Sequence, residues 1–284
     1  MSKNEKLISY ILIGFIILGI FLRFYNLSQE HLFLDEQRSL ISAIKTQRQD
    51  FKSGEMYFQE HPGLGKWLIS LPINFISSDY AQLQLLGPNM FAWDFVAYKA
   101  VEDTYKTIKY ANALIGVFAI FFVYLITKKL FNKKAALWGA AIIATAPDII
   151  AYSRHENLMK IIAITTVLAT IFFYIKYLAE NNKDKRWTYL GITIISLTFA
   201  LGSRNFDPLF IIPTLIISQF LINRDKKKLK ENFTVTGLII LSFLFVFYFM
   251  YPPEANLFAQ EDLEAKYPAQ LFCFTFKPII YHAL

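Results

Sequence analysis

Two short strings of the sequence carry residue types that are suited to chemistry at a membrane surface. The first string is His31-Leu32-Phe33-Leu34-Asp35-Glu36, in which two carboxylates are adjacent. Such a pair suits a general base, Asp35, beside a second group, Glu36, that holds a substrate or a cation. A simpler interpretation remains open, in which Asp35 caps the helix that follows it.

The second string is Glu60-His61-Pro62-Gly63-Leu64-Gly65-Lys66-Trp67-Leu68. Its proline and two glycines predict a turn. The turn opens an amphipathic helix, because apolar residues then recur on one helix face: Leu64, Trp67, Leu68 and Leu71. His61, Lys66 and the N–H groups at the start of that helix form a candidate site for a lipid phosphate. The alternative is an ordinary turn followed by a lysine that extends from apolar surface to water.

Long apolar runs dominate the rest of the chain. Of the 284 residues, 55% are hydrophobic and 18% are charged, whereas a soluble domain carries about 25% charged residues. Runs of about 20 apolar residues match the helix length that crosses the bilayer hydrocarbon. Because these runs are continuous and not alternating, they favour helices over a membrane barrel. The predicted fold is therefore an all-α membrane protein.

The apolar runs predict seven transmembrane helices, of which the first is a retained signal-anchor. They also predict two parts of the chain: a seven-span module over 1–250 with a large external loop at 23–107, and a short external tail at 251–284. Amphipathic helices in the loop are expected to lie at the membrane interface. The predicted spans are Leu7–Leu22, Ile108–Thr127, Ala135–Tyr152, Ile161–Leu178, Tyr189–Gly202, Pro208–Ile222 and Phe233–Met250.

The distribution of charge predicts the orientation of these spans. With a cytoplasmic N-terminus, the inside segments hold 15 basic and five acidic residues, whereas segment 23–107 holds eight basic and ten acidic residues. Cytoplasmic loops are enriched in lysine and arginine, so the active face is predicted to be external, at the plasma membrane or the endoplasmic reticulum. The same loops account for the net charge of +7, and no nucleic-acid partner is expected.

Ionisable residues gather at the predicted external ends of spans three to six. Charge near a membrane indicates function by default, although interfacial anchoring is the alternative for any single residue. The middles of the spans carry no charge, which disfavours a transporter or flippase of lipids or ions. The gathered residues are Asp148, Arg154, Glu156, Lys160, Arg204 and Asp207.

Taken together, the two strings resemble the GT-C superfamily of integral-membrane glycosyltransferases, particularly its protein O-mannosyltransferase and aminoarabinose-transferase branch. That family has an Asp-Glu pair in its first external loop, followed by a His-Pro-Pro-Leu-Gly-Lys-like string. Here that string is His61-Pro62-Gly63-Leu64-Gly65-Lys66, with glycine in place of the second proline. Tyr152-Ser153-Arg154 also resembles the family's Ser-Arg at the end of the third span. The resemblance covers about residues 7–250.

The resemblance implies transfer of one sugar, of hexosyl or mannosyl type, from a dolichyl- or undecaprenyl-phosphate lipid to a hydroxyl group. The acceptor is a protein, a lipid or a glycan. Asp35 is expected to be the base, with Glu36 positioning the acceptor or a divalent cation. The donor phosphate is expected to meet His61, Lys66, Arg154 and Arg204, and Glu156 is the candidate second acidic site. The metal requirement stays open.

The sequence leaves one further alternative to a complete enzyme. The chain stops 33 residues after Tyr251, whereas members of the family usually continue with more spans or a soluble domain. A non-catalytic subunit, or an enzyme whose partner subunit supplies the C-terminal part, is therefore also compatible with the sequence. The single cysteine, Cys273, excludes an intrachain disulfide.

Overall fold

The computed structural model describes residues 3–27, 68, 95–154, 158–203, 207–222 and 229–249. Within these residues the regular structure is helical and contains no strand, which confirms the all-α prediction. A short 3₁₀ helix at Asp207–Phe210 precedes α7. The α-helices are α1 Lys3–Phe24, α2 Phe95–Leu130, α3 Lys133–Thr145, α4 Pro147–Arg154, α5 Leu158–Ala179, α6 Lys183–Ser203, α7 Ile211–Ile222 and α8 Leu229–Phe249.

Four of these helices are long and apolar enough to cross a membrane, and a bent pair, α3 with α4, makes a fifth candidate. Two predicted spans are not among these candidates. The fifth predicted span, Tyr189–Gly202, lies inside α6, whose first turn is charged. The sixth, Pro208–Ile222, is a 3₁₀ turn followed by the short helix α7. Every predicted span therefore falls on helical structure, while the count of seven crossings stays a prediction.

The third predicted span, Ala135–Tyr152, is broken and not continuous. Helices α3 and α4 meet at Ala146 with a bend of 52°. Ala146 has an extended ψ of 119°, because the ring of the following Pro147 disfavours helical backbone at the preceding residue. Pro147 itself occupies the first position of α4, where a missing N–H is tolerated.

Helix α2 begins well inside the predicted external loop 23–107. Its first residue is Phe95, and its apolar portion begins only at Lys106. At the other end of the predicted loop, α1 continues to Phe24. Hydrophobicity marks only the part of a helix that lies in the membrane, whereas backbone hydrogen bonding continues into the polar residues beyond it. The apolar pattern therefore underestimated the length of α2.

Contacts between helix ends show how the first spans run. An ion pair joins Glu5 near the start of α1 to Lys133 at the start of α3, and Arg23 near the end of α1 bonds to the end of α3. Helix α2 runs the opposite way, since Phe24 stacks on Tyr110 in its first half. We call the end where α1 and α4 finish the arginine end, and the opposite end, where α3, α6 and α8 begin, the lysine-rich end.

Within the described residues, two apolar cores hold the helices together. Small residues of α3, namely Ala136, Ala140 and Ala144, let α1 and α2 approach closely in the first core. In lipid no hydrophobic effect drives helices together, so their association depends on the van der Waals packing that such a close backbone approach allows. The second core joins α5 to α8. Helix α5 connects the two, and Phe172 and Phe173 of α5 contact Phe122 of α2.

Candidate functional site

Arg23 lies in the last turn of α1 and is fully buried. Its Nη2 donates to the carbonyl of Ile143 at 3.0 Å, and its Nη1 donates to the carbonyls of Ala144 at 3.2 Å and Gly19 at 3.1 Å. Ile143 and Ala144 form the C-terminal end of α3, where carbonyl groups have no partner within the helix. A cation at this position also interacts favourably with the negative end of the helix dipole.

The bend at Pro147 explains why these carbonyls need an external donor. In an unbroken helix the carbonyl of Ile143 would accept from the N–H of residue 147, four positions later. Pro147 has no N–H, and Arg23 supplies the missing hydrogen bond from another helix. An unsatisfied backbone group in hydrocarbon is unfavourable by several kcal/mol. The hydrogen bond from the Arg23 guanidinium therefore stabilises the broken span.

Arg154, the last residue of α4, makes the reciprocal contact. Its Nη1 donates to the carbonyl of Leu22 at 2.7 Å. Leu22 lies next to Arg23 in the last turn of α1, which ends in a turn where Asn26 adopts a positive φ of 56°. Arg23 of α1 therefore caps α3, the first half of the broken span. Arg154, on the second half of that span, caps α1. Arg154 is half-buried at the arginine end, and its charge is positioned by the contact with the backbone of α1.

Gly116 of α2 faces this pair of contacts. A Cβ atom at residue 116 would overlap Ser153 Oγ and would lie 2.9 Å from Ser153 Cβ and 3.0 Å from Arg23 Nε. Ser153 is itself buried and donates to the carbonyl of Ile149 at 2.6 Å. Helices α1, α2 and α4 thus meet where any side chain larger than hydrogen would force them apart.

Further polar and cationic side chains line the arginine end on α2 and α5. Lys109 and Asn112 are buried in the first half of α2. Lys160, near the start of α5, places its ammonium group 3.5 Å from the centre of the Tyr152 ring on α4. Arg23, Lys109, Arg154 and Lys160 therefore bring positive charge from four helices to one end. Partly dehydrated cations of this kind interact strongly with an anion.

Among the predicted site residues, only Arg154 falls within the described part of the chain. Asp35, Glu36, His61, Lys66, Glu156 and Arg204 lie outside it. Three other members of the gathered external set, Asp148, Lys160 and Asp207, are described. Asp148 is exposed at the start of α4, and Asp207 begins the 3₁₀ helix before α7. In the described residues no three His, Cys, Asp or Glu side chains group as metal ligands. The predicted roles of these residues therefore stay predictions.

The structure adds Arg23, Lys109 and Asn112 to the residues of this end. The sequence interpretation counted Arg23 as a loop charge because it follows the apolar run directly. One available signal was the spacing from Gly19 to Arg23, one helical turn, which places the arginine on the last turn of the same helix. Lys109 and Asn112 carry a comparable signal, since their i, i+3 spacing puts two polar groups on one face of an apolar helix.

A second polar cluster lies at the lysine-rich end. Tyr174 Oη contacts Gln219 Oε1 at 2.9 Å, and Gln219 Nε2 donates to Tyr177 Oη and to Asn232 Oδ1. Tyr177 Oη donates to Glu231, which forms an ion pair with Arg186 at 2.7 Å. These side chains bond to one another across α5, α6, α7 and α8. A hydrogen-bond network that joins four helices in this way fixes their packing.

A family model gives this geometry a chemical context. The model described as dolichyl-phosphate-mannose-protein mannosyltransferase matches residues 87–251, more than half of the chain. The protein belongs to this family. A comparison with curated proteins finds no significant match.

Membership of the mannosyltransferase family confirms the resemblance found in the sequence. It makes the protein a membrane glycosyltransferase of the mannosyltransferase type, and the apolar helices make it a multi-pass membrane protein. The match covers α2 to α8 and includes Arg154. It begins after the strings around Asp35 and Lys66, so the roles of those residues rest on the resemblance alone.

Proposed function

We propose that the protein transfers one sugar from a polyprenyl-phosphate lipid to a hydroxyl acceptor at the arginine end of the bundle. The observation that carries this proposal is the gathering of Arg23, Lys109, Arg154 and Lys160 at one end of a mannosyltransferase-family protein. A lipid-linked sugar phosphate presents its anion at the level of helix ends. Positive charge that is fixed before the donor arrives stabilises the leaving phosphate without reorganisation.

The proposed reaction is a single displacement. The acceptor oxygen forms a bond to the anomeric carbon, and the bond from that carbon to the phosphate oxygen breaks. The electron pair stays on the phosphate, and the acceptor proton passes to Asp35. Attack opposite to the leaving group inverts the anomeric configuration. A polyprenyl phosphate is stable as an anion, so the reaction needs no general acid of the kind that glycosidases use.

The proposed roles divide between the two parts of the site. Asp35 takes the proton and Glu36 positions the acceptor or a divalent cation, while His61, Lys66 and Arg204 join Arg154 at the phosphate. Glu156 is the proposed second acidic group. The resemblance of the two strings supports the roles of their residues, and the position of Arg154 at the arginine end, inside the region of the family match, supports its phosphate role.

The arginine end is proposed to face outward from the cytoplasm. The predicted cytoplasmic segments hold 15 basic residues against five acidic residues, which supports this orientation. A polyprenyl-phosphate donor supplies its sugar without a nucleotide, which suits a compartment that cytoplasmic nucleotide sugars do not enter.

The decisive experiment supplies the purified protein in lipid nanodiscs with dolichyl-phosphate-[³H]mannose and, separately, with the undecaprenyl-phosphate sugar. Membranes of the cells from which the protein is purified provide the acceptors. We expect label to move to a protein, lipid or glycan fraction with the wild-type protein and not with Asp35→Asn. Movement of intact donor between leaflets without transfer would instead support a flippase, and an absence of both would contradict catalysis by this chain alone.

A further inference from the structure

We propose that Arg23 is a positioning residue of the donor site, which it serves by fixing the bend that carries Arg154. The inference rests on the proposed function, because it assigns Arg154 to the donor phosphate. The sequence predicted that Arg23 lies in the external loop, whereas the structure shows that its side chain is completely buried.

The first step is the direct link from Arg23 to the bend. Its guanidinium donates to Ile143 and Ala144, the two residues before the last residue of α3, at 3.0 and 3.2 Å. One of these bonds replaces the N–H that Pro147 lacks. Without it, the end of α3 would have to find another donor, and the 52° bend between α3 and α4 would lose the contact that stabilises it.

The second step is the return contact. Arg154 Nη1 donates to Leu22 at 2.7 Å, one residue before Arg23. The two arginines therefore close a ring of contacts that runs from α1 to α3, through the bend to α4, and back to α1. The direction in which Arg154 leaves α4 depends on the angle of the bend, and that angle depends on Arg23.

The third step is the tight packing of α2 against this ring of contacts. Gly116 allows Arg23 Nε and Ser153, the neighbour of Arg154, to reach the backbone of α2. Ser153 is 1% exposed. Because α4 is held on one side by α2 and on the other by α1, a change at Arg23 is transmitted to α4 and is not absorbed by a local rearrangement.

The chemistry of the residue also favours a role in the site. A buried arginine near hydrocarbon is costly and is functional by default. A proline bend can instead be satisfied by neighbouring serine or threonine side chains or by water. Arginine supplies the missing hydrogen bonds from a planar group with fixed donor directions, so it holds the bend at one angle.

The test compares Arg23→Gln with Arg186→Gln. Both substitutions remove a guanidinium that bonds to other helices, but Arg186 lies at the lysine-rich end and pairs with Glu231. We expect both variants to unfold at lower temperature. Only Arg23→Gln should raise the KM for the polyprenyl-phosphate sugar, by about tenfold or more, with a smaller change in kcat. Arg23→Lys, which keeps the charge and one donor group, should recover part of the increase.

A double variant separates positioning from independent contact. If Arg23 acts through Arg154, the variant Arg23→Gln/Arg154→Ala should have nearly the donor KM of Arg154→Ala alone. A double variant whose increase in donor KM equals the product of the increases in the two single variants would overturn the proposal. So would an Arg23→Gln variant with the donor KM of the wild type or of Arg186→Gln.

A labelling experiment tests the geometry without any assay of transfer. In a Cys273→Ser background, a cysteine at residue 153 is expected to resist a water-soluble maleimide, because the position is buried. Arg23→Gln should expose it, and Arg186→Gln should not. Continued protection in Arg23→Gln would show that Arg23 does not set α4. Failure of wild-type protein to transfer sugar would instead contradict the proposed function and leave the labelling result to decide the role of Arg23.

Discussion

Arg23 and Arg154 exchange hydrogen bonds between helix ends: Arg23 donates to the end of the helix that precedes α4, and Arg154 donates to Leu22 of α1. Each contact satisfies carbonyl groups that a helix end or a proline leaves without a donor. The exchange fixes two guanidinium groups at one end of the bundle, where positive charge favours the binding of an anion.

Replacing Arg154 should weaken donor binding. We expect Arg154→Ala to raise the donor KM by about tenfold to a hundredfold, since hydrogen bonds to charged groups contribute about 1.5–3 kcal/mol. Arg154→Lys should lie between this variant and the wild type, because lysine offers a point charge without the planar fork of arginine. The measurement is initial-rate transfer from a labelled polyprenyl-phosphate sugar. A donor KM equal to the wild-type value for both variants would contradict the phosphate role.

Adding one methyl group at Gly116 should separate α2 from α4. Gly116→Ala would bring its Cβ within 2.9 Å of Ser153 Cβ, and overpacking of this kind costs about 1–3 kcal/mol. We expect a lower unfolding temperature in nanodiscs together with a higher donor KM. Gly14→Ala is the matched control, since nothing lies within 4 Å of its added Cβ. Equal stability of the two alanine variants would show that the close approach is not needed.

Removing the basicity of Asp35 should slow transfer without unfolding the protein. Asn has the size of Asp and keeps most of its hydrogen bonding, so Asp35→Asn should insert and bind donor normally. Transfer should fall by about 10²- to 10⁴-fold, the usual contribution of a positioned general base. Glu36→Gln serves as the comparison and should cost less if Glu36 positions the acceptor. An Asp35→Asn protein with the wild-type rate would favour the helix-cap interpretation.

The orientation of the bundle can be tested by labelling intact cells. In a Cys273→Ser background, a cysteine placed in 224–231 should resist an impermeant maleimide, because the positive-inside pattern assigns this segment to the cytoplasm. A cysteine at Asp148, which is exposed at the arginine end, should react. Reversed labelling would place the arginine end in the cytoplasm and exclude an external active face.

Sequence patterning predicted the helices well but not their interruptions. Each predicted span falls on a helix, because the length of an apolar run directly reflects the thickness of hydrocarbon. The bend at Pro147 was missed because the apolar run continues on both sides of it. Composition over about 20 residues does not reveal that one N–H is lacking, although the proline itself is visible in the sequence.

The burial of Arg23 was beyond the reach of the sequence for a different reason. A charge directly after an apolar run resembles an interfacial residue, and its burial depends on carbonyl groups of Ile143 and Ala144 that lie 120 and 121 residues away. Arg154 was identified because its neighbours resemble a family motif. Its bond to Leu22 is again a tertiary contact, so its residue type was predictable and its partner was not.

The chain positions of these contacts determine when they can form during synthesis. Gly19, Arg23, Gly116, Ala144 and Arg154 all precede α5, although the bond from Arg23 to Ala144 spans 121 residues. At about 5–20 residues per second, α1 must remain in the membrane for on the order of ten seconds before the broken span reaches it. From then on the arginine end is able to assemble while α5 to α8 are still being made. Slowing translation before residue 143 would prolong the interval in which Arg23 lacks its partners on α3.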